Sequence, residues 1–282
     1  MKQKILIVQA IHERGVQVFD DRFEVRVASD PSMATVIKEI RGVAGVIVRM
    51  APFTREIIEA ADALKVIGRH GVGVDNIDLQ AATEKGIVVV NTPNANATSV
   101  AEHTLTAIGA LAKRVVVYDR AIREGRWELR NSYGAVDLDG KILGLVGIGR
   151  IGSMVARRAA VAYNMKVIAF DPYVKPETAG ELGLTLCAQM DDVFRQADVI
   201  SLHTPLTPET RRFVNAAKLR LMKPTAFLLN FSRGAVVDET ALCAALTQEC
   251  VIRMATGAAE GVVEVLSGRR PQFVVNPEVF KR

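Results

Sequence analysis

The chain has 282 residues but only three cysteines, Cys187, Cys243 and Cys250, with no CxxC pair and no histidine at ligand spacing. An odd, unpaired set excludes a disulfide framework and a zinc site. It fits a reduced, cytoplasmic compartment. Aromatic residues are scarce, at 5%, and no basic block carries interleaved aromatics. The net charge of +5 is spread along the chain, so it reads as a bias toward small anions and not as a nucleic-acid surface. No apolar run approaches the roughly 20 residues of a membrane span. The run Ile5–Val8 is too short for a signal-peptide core and reads as a first strand. Glycine and proline are scattered, which excludes collagen-like and low-complexity chains.

What is present is a globular mix, 49% apolar and 24% charged, enough to exclude a disordered chain. The length fits two domains. Short β-branched runs alternate with helical patterns. Strands are expected at Ile5–Val8, Phe23–Ala28, Gly45–Arg49, Val66–Gly68 and Ile87–Val90, with helices at Ser32–Ile40, Arg55–Ala61 and Leu79–Lys85. One long helix is expected over Ser99–Glu124. A second alternating series places strands at Ile142–Gly147, Lys166–Phe170, Leu184–Ala188, Val199–His203 and Thr225–Phe231. A helix pattern at Glu249–Leu266 and an extended tail at Pro271–Val279 close the chain. Such alternation builds βαβ units and parallel sheets, so the fold class is α/β with two domains.

The strand Ile142–Val146 runs into Gly147-Ile148-Gly149-Arg150-Ile151-Gly152 and then a helix. Gly147 permits a tight turn, Gly149 lets a pyrophosphate approach the backbone, and Gly152 lets the helix pack on the strand. The helix start then offers N–H groups to phosphates. Asp171 ends the next strand, where an acid binds ribose hydroxyls. That acid would repel a 2′-phosphate, so the cofactor expected is NAD and not NADP.

These residues stand among others that resemble the D-isomer-specific 2-hydroxyacid dehydrogenases, nearest the phosphoglycerate dehydrogenase branch. The resemblance is carried by Gly68–Asp78 (Gly-Arg-His-Gly-Val-Gly-Val-Asp-Asn-Ile-Asp), Asn91-Thr-Pro-Asn, Ala101-Glu-His103, the glycine loop, Leu202–Thr210 and Asn230–Glu239. It implies two flavodoxin-like/Rossmann domains, with the NAD domain (99–267) inserted in a substrate domain (1–98 plus 268–282), and a homodimer acting on a small 2-hydroxy acid. It places the substrate carboxylate on Gly71, Val72 and Gly73, with Arg49 as a second substrate group and Arg233 as the catalytic arginine. His203, Thr204, Pro205, Thr210 and Ser232 would stand near the cofactor.

One part of the family pattern is missing. Members continue after the Asn-x-x-Arg-Gly helix with Gly-x-Ile-x-Gly-Ala-x-Leu-Asp-Val, a Glu-Pro element and Asn-Val-x-x-Thr-Pro-His. Here Leu246 joins directly to Thr247-Gln-Glu-Cys250. The acid/base histidine and its carboxylate partner are therefore not in the chain. The four histidines, His12, His70, His103 and His203, all precede Arg233. His12 reads as a surface turn residue, His103 as a buried hydrogen-bonded one, and His70 lies beside the carboxylate loop. Glu249 and Glu260 read as solvated. The last two strands of the NAD-domain sheet would be absent, leaving Thr225–Phe231 at an edge. The alternative reading is an impaired NAD-binding remnant, or a partner of an intact paralogue.

Overall fold

The computed structural model describes residues 2–132, 134–243 and 245, so Glu249–Leu266 and Pro271–Val279 lie outside the described residues. Two compact units divide the chain. One comprises Met1–Ala110 with Arg150–Arg158, the other Leu111–Gly149 with the residues from Ala159 on.

The first unit is built on five parallel strands: β1 (Gln3–Ile7), β2 (Phe23–Val27), β3 (Gly45–Val48), β4 (Val66–Arg69) and β5 (Val88–Val90). Their order is β2-β1-β3-β4-β5, the flavodoxin-like winding. Ile5, Leu6 and Ile7 are consecutive and all buried, so both faces of β1 are covered, as a parallel sheet requires. On the Leu6 face the cover comes from the helices Met33–Glu39, Arg55–Ala60 and Leu79–Glu84, through Val36, Ile57, Ile58, Ala81 and Ala82. Burial of each large aliphatic side chain stabilises by about 1.5–3 kcal/mol. Asp78 caps the third of these helices by accepting the Ala81 N–H at 2.8 Å.

The second unit carries β6 (Ile142–Val146), β7 (Lys166–Phe170), β8 (Thr185–Leu186), β9 (Val199–Leu202) and β10 (Phe227–Asn230). All pairs are parallel, in the order β10-β9-β6-β7-β8. Numbered within the sheet, this is the 3-2-1-4-5 winding of a dinucleotide-binding fold. Every residue of β9 is buried. Among the described residues β10 pairs with β9 alone and forms the edge expected of Thr225–Phe231.

The expected helix over Ser99–Glu124 is corrected. Two helices, Ala97–Ala112 and Val115–Arg123, are separated by Arg114 in the left-handed region (φ 50°). The β-branched run Val115-Val-Val117 is a weak helix continuer. The Ala112 carbonyl instead accepts the Val136 N–H at 2.8 Å. The short helices Pro176–Glu181 and Met190–Gln196 lack a strong apolar period and were not legible in the sequence.

Strand β6 depends on a glycine. A Cβ on Gly144 would stand 2.6 Å from Val193 Cγ1 and 2.7 Å from the Ala197 Cβ, so the helix Met190–Gln196 can sit close on the strand. Overpacking a core of this kind costs about 1–3 kcal/mol. Gly144→Ala is expected to lower unfolding free energy by about that amount, read as a shift in the urea midpoint with unchanged slope.

Candidate functional site

In the second sheet the chain leaves β6 toward β7 and leaves β9 toward β10, in opposite directions. The crevice outside the ends of β6 and β9 is the switch point where such sheets bind ligands. Gly147 follows β6 there with φ +88°, a region that L side chains rarely adopt. A Cβ on it would stand 2.8 Å from the His203 carbonyl oxygen. Glycine is therefore required twice over, by backbone conformation and by the approach of the β9 loop. The Gly147 N–H donates to the Phe170 carbonyl at 2.9 Å. Asp171, next along, accepts the Ile148 N–H on Oδ2 at 2.9 Å and the Tyr173 N–H on Oδ1 at 3.0 Å. The acid that ends β7 thus grips the glycine loop itself.

Gly149 is the N-cap of the helix Arg150–Tyr163, and the space where its Cβ would stand is open. Gly152 is buried in the first turn and Ile151 half-buried. Arg150 is exposed, and its Nη1 donates to the Pro93 carbonyl at 2.9 Å, tying the helix start to the Asn91-Thr-Pro-Asn segment.

His203 stands at the end of β9, its N–H donating to the Val146 carbonyl at 2.8 Å. Its Nε2 lies 3.0 Å from Oγ of Ser201, which is fully buried. Desolvation lowers its pKa to about 4, so the ring is neutral at pH 7. Thr204 Oγ1 is buried without a hydrogen-bond partner, an orphan hydroxyl beside the glycine turn. Pro205 is exposed, and its carbonyl accepts the Thr210 hydroxyl at 2.7 Å. The same Thr210 oxygen accepts the Thr207 N–H at 2.7 Å. Thr210 therefore shapes the loop through its own hydroxyl. An open glycine loop, a gripped acid and an orphan hydroxyl at one switch point fit a dinucleotide.

The turn after β10 presents Ser232 and Arg233. Asn230 holds it: Oδ1 accepts the Ser232 N–H at 3.0 Å and its hydroxyl at 2.8 Å, while Nδ2 donates to the Arg233 carbonyl at 2.8 Å. Arg233 is half-buried with extended backbone, and its Nη1 donates to the Ser232 carbonyl at 3.0 Å. Ser201 and Asn230 have no role in the sequence reading; a lone serine within the apolar run Val199–Leu202 is the available signal for the first.

In the first unit, Arg49 is exposed just past β3, and its Nη1 donates to the Ala10 carbonyl at 2.8 Å. Gly71, Val72 and Gly73 follow β4. Gly71 has φ +145° and leaves no room for a Cβ beside the Arg69 guanidinium, 2.6 Å away. Asn91 Nδ2 donates to the Val72 carbonyl at 2.7 Å. His70 is exposed beside this loop. His12 is exposed, as expected, and its Nδ1 accepts the Arg14 N–H at 3.2 Å. The expectation for His103 is corrected: it is exposed, on the outward side of the helix Ala97–Ala112. The described residues contain no cluster fit to hold a metal and no helix long and apolar enough to cross a membrane.

The buried neutral imidazole sets a pH dependence. An unfolded histidine binds its proton near pH 6.5, whereas His203 does so only near 4. Between these values the unfolded chain holds more protons, so stability is full above pH 6.5 and is lost as pH falls toward 4. Wild type should lose on the order of 1–3 kcal/mol through this window from His203. His203→Asn should remove that part of the slope, measured by urea unfolding at pH 7.5 and 5.0.

Residues 105–259 match the model of the D-isomer specific 2-hydroxyacid dehydrogenase, NAD binding domain. The chain is 41% identical to a D-3-phosphoglycerate dehydrogenase of Methanocaldococcus jannaschii, over 87% of this chain and 47% of that protein. It is 42% identical to one of Synechocystis, over 86% and 44%. The chain thus spans about half the length of these relatives. Among solved structures, a protein of Thermus thermophilus superposes with TM-score 0.78 at 33% identity, covering 97% of this chain and all of that one. D-lactate dehydrogenase of Aquifex aeolicus, complexed with NAD and lactic acid, superposes with TM-score 0.78 at 31% identity, over 87% and 74%. Two parallel sheets of this winding and a family model matched over more than half its residues lead to one conclusion: the chain belongs to the D-isomer specific 2-hydroxyacid dehydrogenase family.

Proposed function

We propose that this chain is an NAD-dependent oxidoreductase interconverting a small 2-hydroxy acid and its 2-oxo acid, 3-phosphoglycerate-like in class. The observation that carries this is one sheet edge. The glycine loop after β6, Asp171 after β7, His203–Pro205 after β9 and Arg233 after β10 all lie at the carboxyl end of the same parallel sheet. Bound NAD supplies a hydride acceptor or donor at its nicotinamide ring. Gly147, Gly149 and the helix start at Arg150 hold the pyrophosphate, and Asp171 takes the ribose hydroxyls and repels a 2′-phosphate. Thr204 and Ser232 face the cofactor, with Pro205 shaping that wall. Arg233 holds the 2-oxo acid and stabilises negative charge growing on its carbonyl oxygen. The loop Gly71–Gly73 and Arg49 take the acid's anionic ends. The substrate domain comprises 1–98 with 268–282, and 99–267 form the NAD domain.

Within residues 234–282 there is no histidine, and for these residues we propose that the proton comes from water or from a weaker donor. General acid catalysis contributes on the order of 10²–10⁴-fold. NADH oxidation with a panel of 2-oxo acids is therefore expected at a rate lower by about that factor than for the Methanocaldococcus relative. NADH itself should bind in a fluorescence titration, and Gly147→Ala should abolish that binding. NADH binding with no turnover above buffer would overturn the enzymatic reading and leave a binding module.

We also propose a cytoplasmic homodimer that contacts neither nucleic acid nor membrane. Val115, Val116, Ile122 and Trp127 are exposed on the helix Val115–Arg123 and the 3₁₀ turn Trp127–Ser132, beside a cavity of about 440 Å³. Exposed large apolar side chains of this kind are suited to a second copy. Light scattering on the wild type should give twice the chain mass, and Val116→Glu should give the monomer.

A further inference from the structure

The first sheet has its own switch point, between β1 and β3. Two side-chain amides meet the segment Arg49-Met50-Ala51 there, whose first two residues are exposed and whose third is buried. Gln9, just past β1, accepts the N–H groups of Met50 and Ala51 on one Oε1, at 2.7 and 2.8 Å. Asn76, between β4 and the helix Leu79–Glu84, donates Nδ2 to the carbonyl oxygens of Ala51 and Arg49, at 2.8 and 3.2 Å. The Asn76 carbonyl in turn accepts the Phe53 N–H at 2.7 Å. Arg49 completes the set by donating Nη1 to the Ala10 carbonyl. Four backbone groups of a three-residue turn are thus fixed by two side chains, where a surface turn would leave them to water. Asn76 also closes the loop that begins at Gly71, whose carbonyl accepts the Thr92 N–H at 3.0 Å.

We propose that Gln9 and Asn76 are positioning residues, an amide clamp that fixes Arg49 relative to the Gly71–Gly73 loop before the acid arrives. The proposal rests on the reading of those groups as the acid's anchors. An arginine on a loose turn would lose backbone freedom on binding; one on a clamped turn has already lost it, and affinity gains accordingly. Each amide uses half of its hydrogen-bonding capacity here, Gln9 as acceptor and Asn76 as donor.

The test titrates the full chain with D-3-phosphoglycerate under excess NADH, so that no turnover occurs. Gln9→Met should weaken binding of the acid about tenfold and leave NADH affinity unchanged. In an Arg49→Met background the same change should cost less than about twofold, because the clamp acts through Arg49. Asn76→Leu, which enters from the other side, should behave alike and carries the test if Gln9→Met does not fold. Equal losses in both backgrounds, or no loss from either clamp variant, overturn the clamp alone. An Arg49→Met chain that binds the acid as wild type overturns the assignment of Arg49 and the clamp with it. A wild type that binds NADH but no acid overturns both readings.

Discussion

The close approach of the β9 loop to Gly147 is the contact on which the cofactor site depends. The His203 carbonyl lies where any Cβ at 147 would need to be. That contact in turn needs β6 and β9 to be neighbours, which the winding order secures. In the same sheet Gly144 lets the helix Met190–Gln196 sit close on β6. Beside this contact the His203 ring lies 3.0 Å from the Ser201 hydroxyl and is kept neutral by burial. The sheet order and Gly147 therefore act as a single condition. Asp171 adds a second tie to the same loop through Ile148, so the residue read as selecting the cofactor also shapes its seat.

Much of this was legible in residue types. Parallel strands buried on both faces show as unbroken β-branched runs, and such runs marked β1, β3, β6, β7 and β9 within a residue or two. The glycine loop and Asp171 were readable because conformation and chemistry restrict those positions to few residues. The break at Arg114 was not readable, because a single left-handed residue inside a helical pattern is settled by the partners its neighbours find elsewhere, here the Val136 N–H. The exposure of His103 was missed for a related reason: a helix face is assigned by its tertiary cover, which local sequence does not encode. The orphan hydroxyl of Thr204 and the bonds of Asn230 arise from loops that meet only after folding.

Both candidate anion-binding regions follow one rule. Each stands at a switch point of a doubly wound sheet, and each loop there is held by side-chain hydrogen bonds to backbone groups. In the second sheet a carboxylate and a hydroxyl do this, through Asp171 and Thr210. In the first, neutral amides do it, through Gln9, Asn76 and Asn91.

The place of β10 has a consequence for how the site would fail. Among the described residues this strand is bonded along one side only, while β6 and β9 are bonded along both. Local opening in proteins begins where the backbone has least support. Arg233 hangs from β10, whereas the glycine loop hangs from β6. On warming, the proposed grip of Arg233 on the acid would loosen while the proposed dinucleotide seat was still intact. On that proposal the chain would pass through a state that still holds NAD but no longer holds the acid.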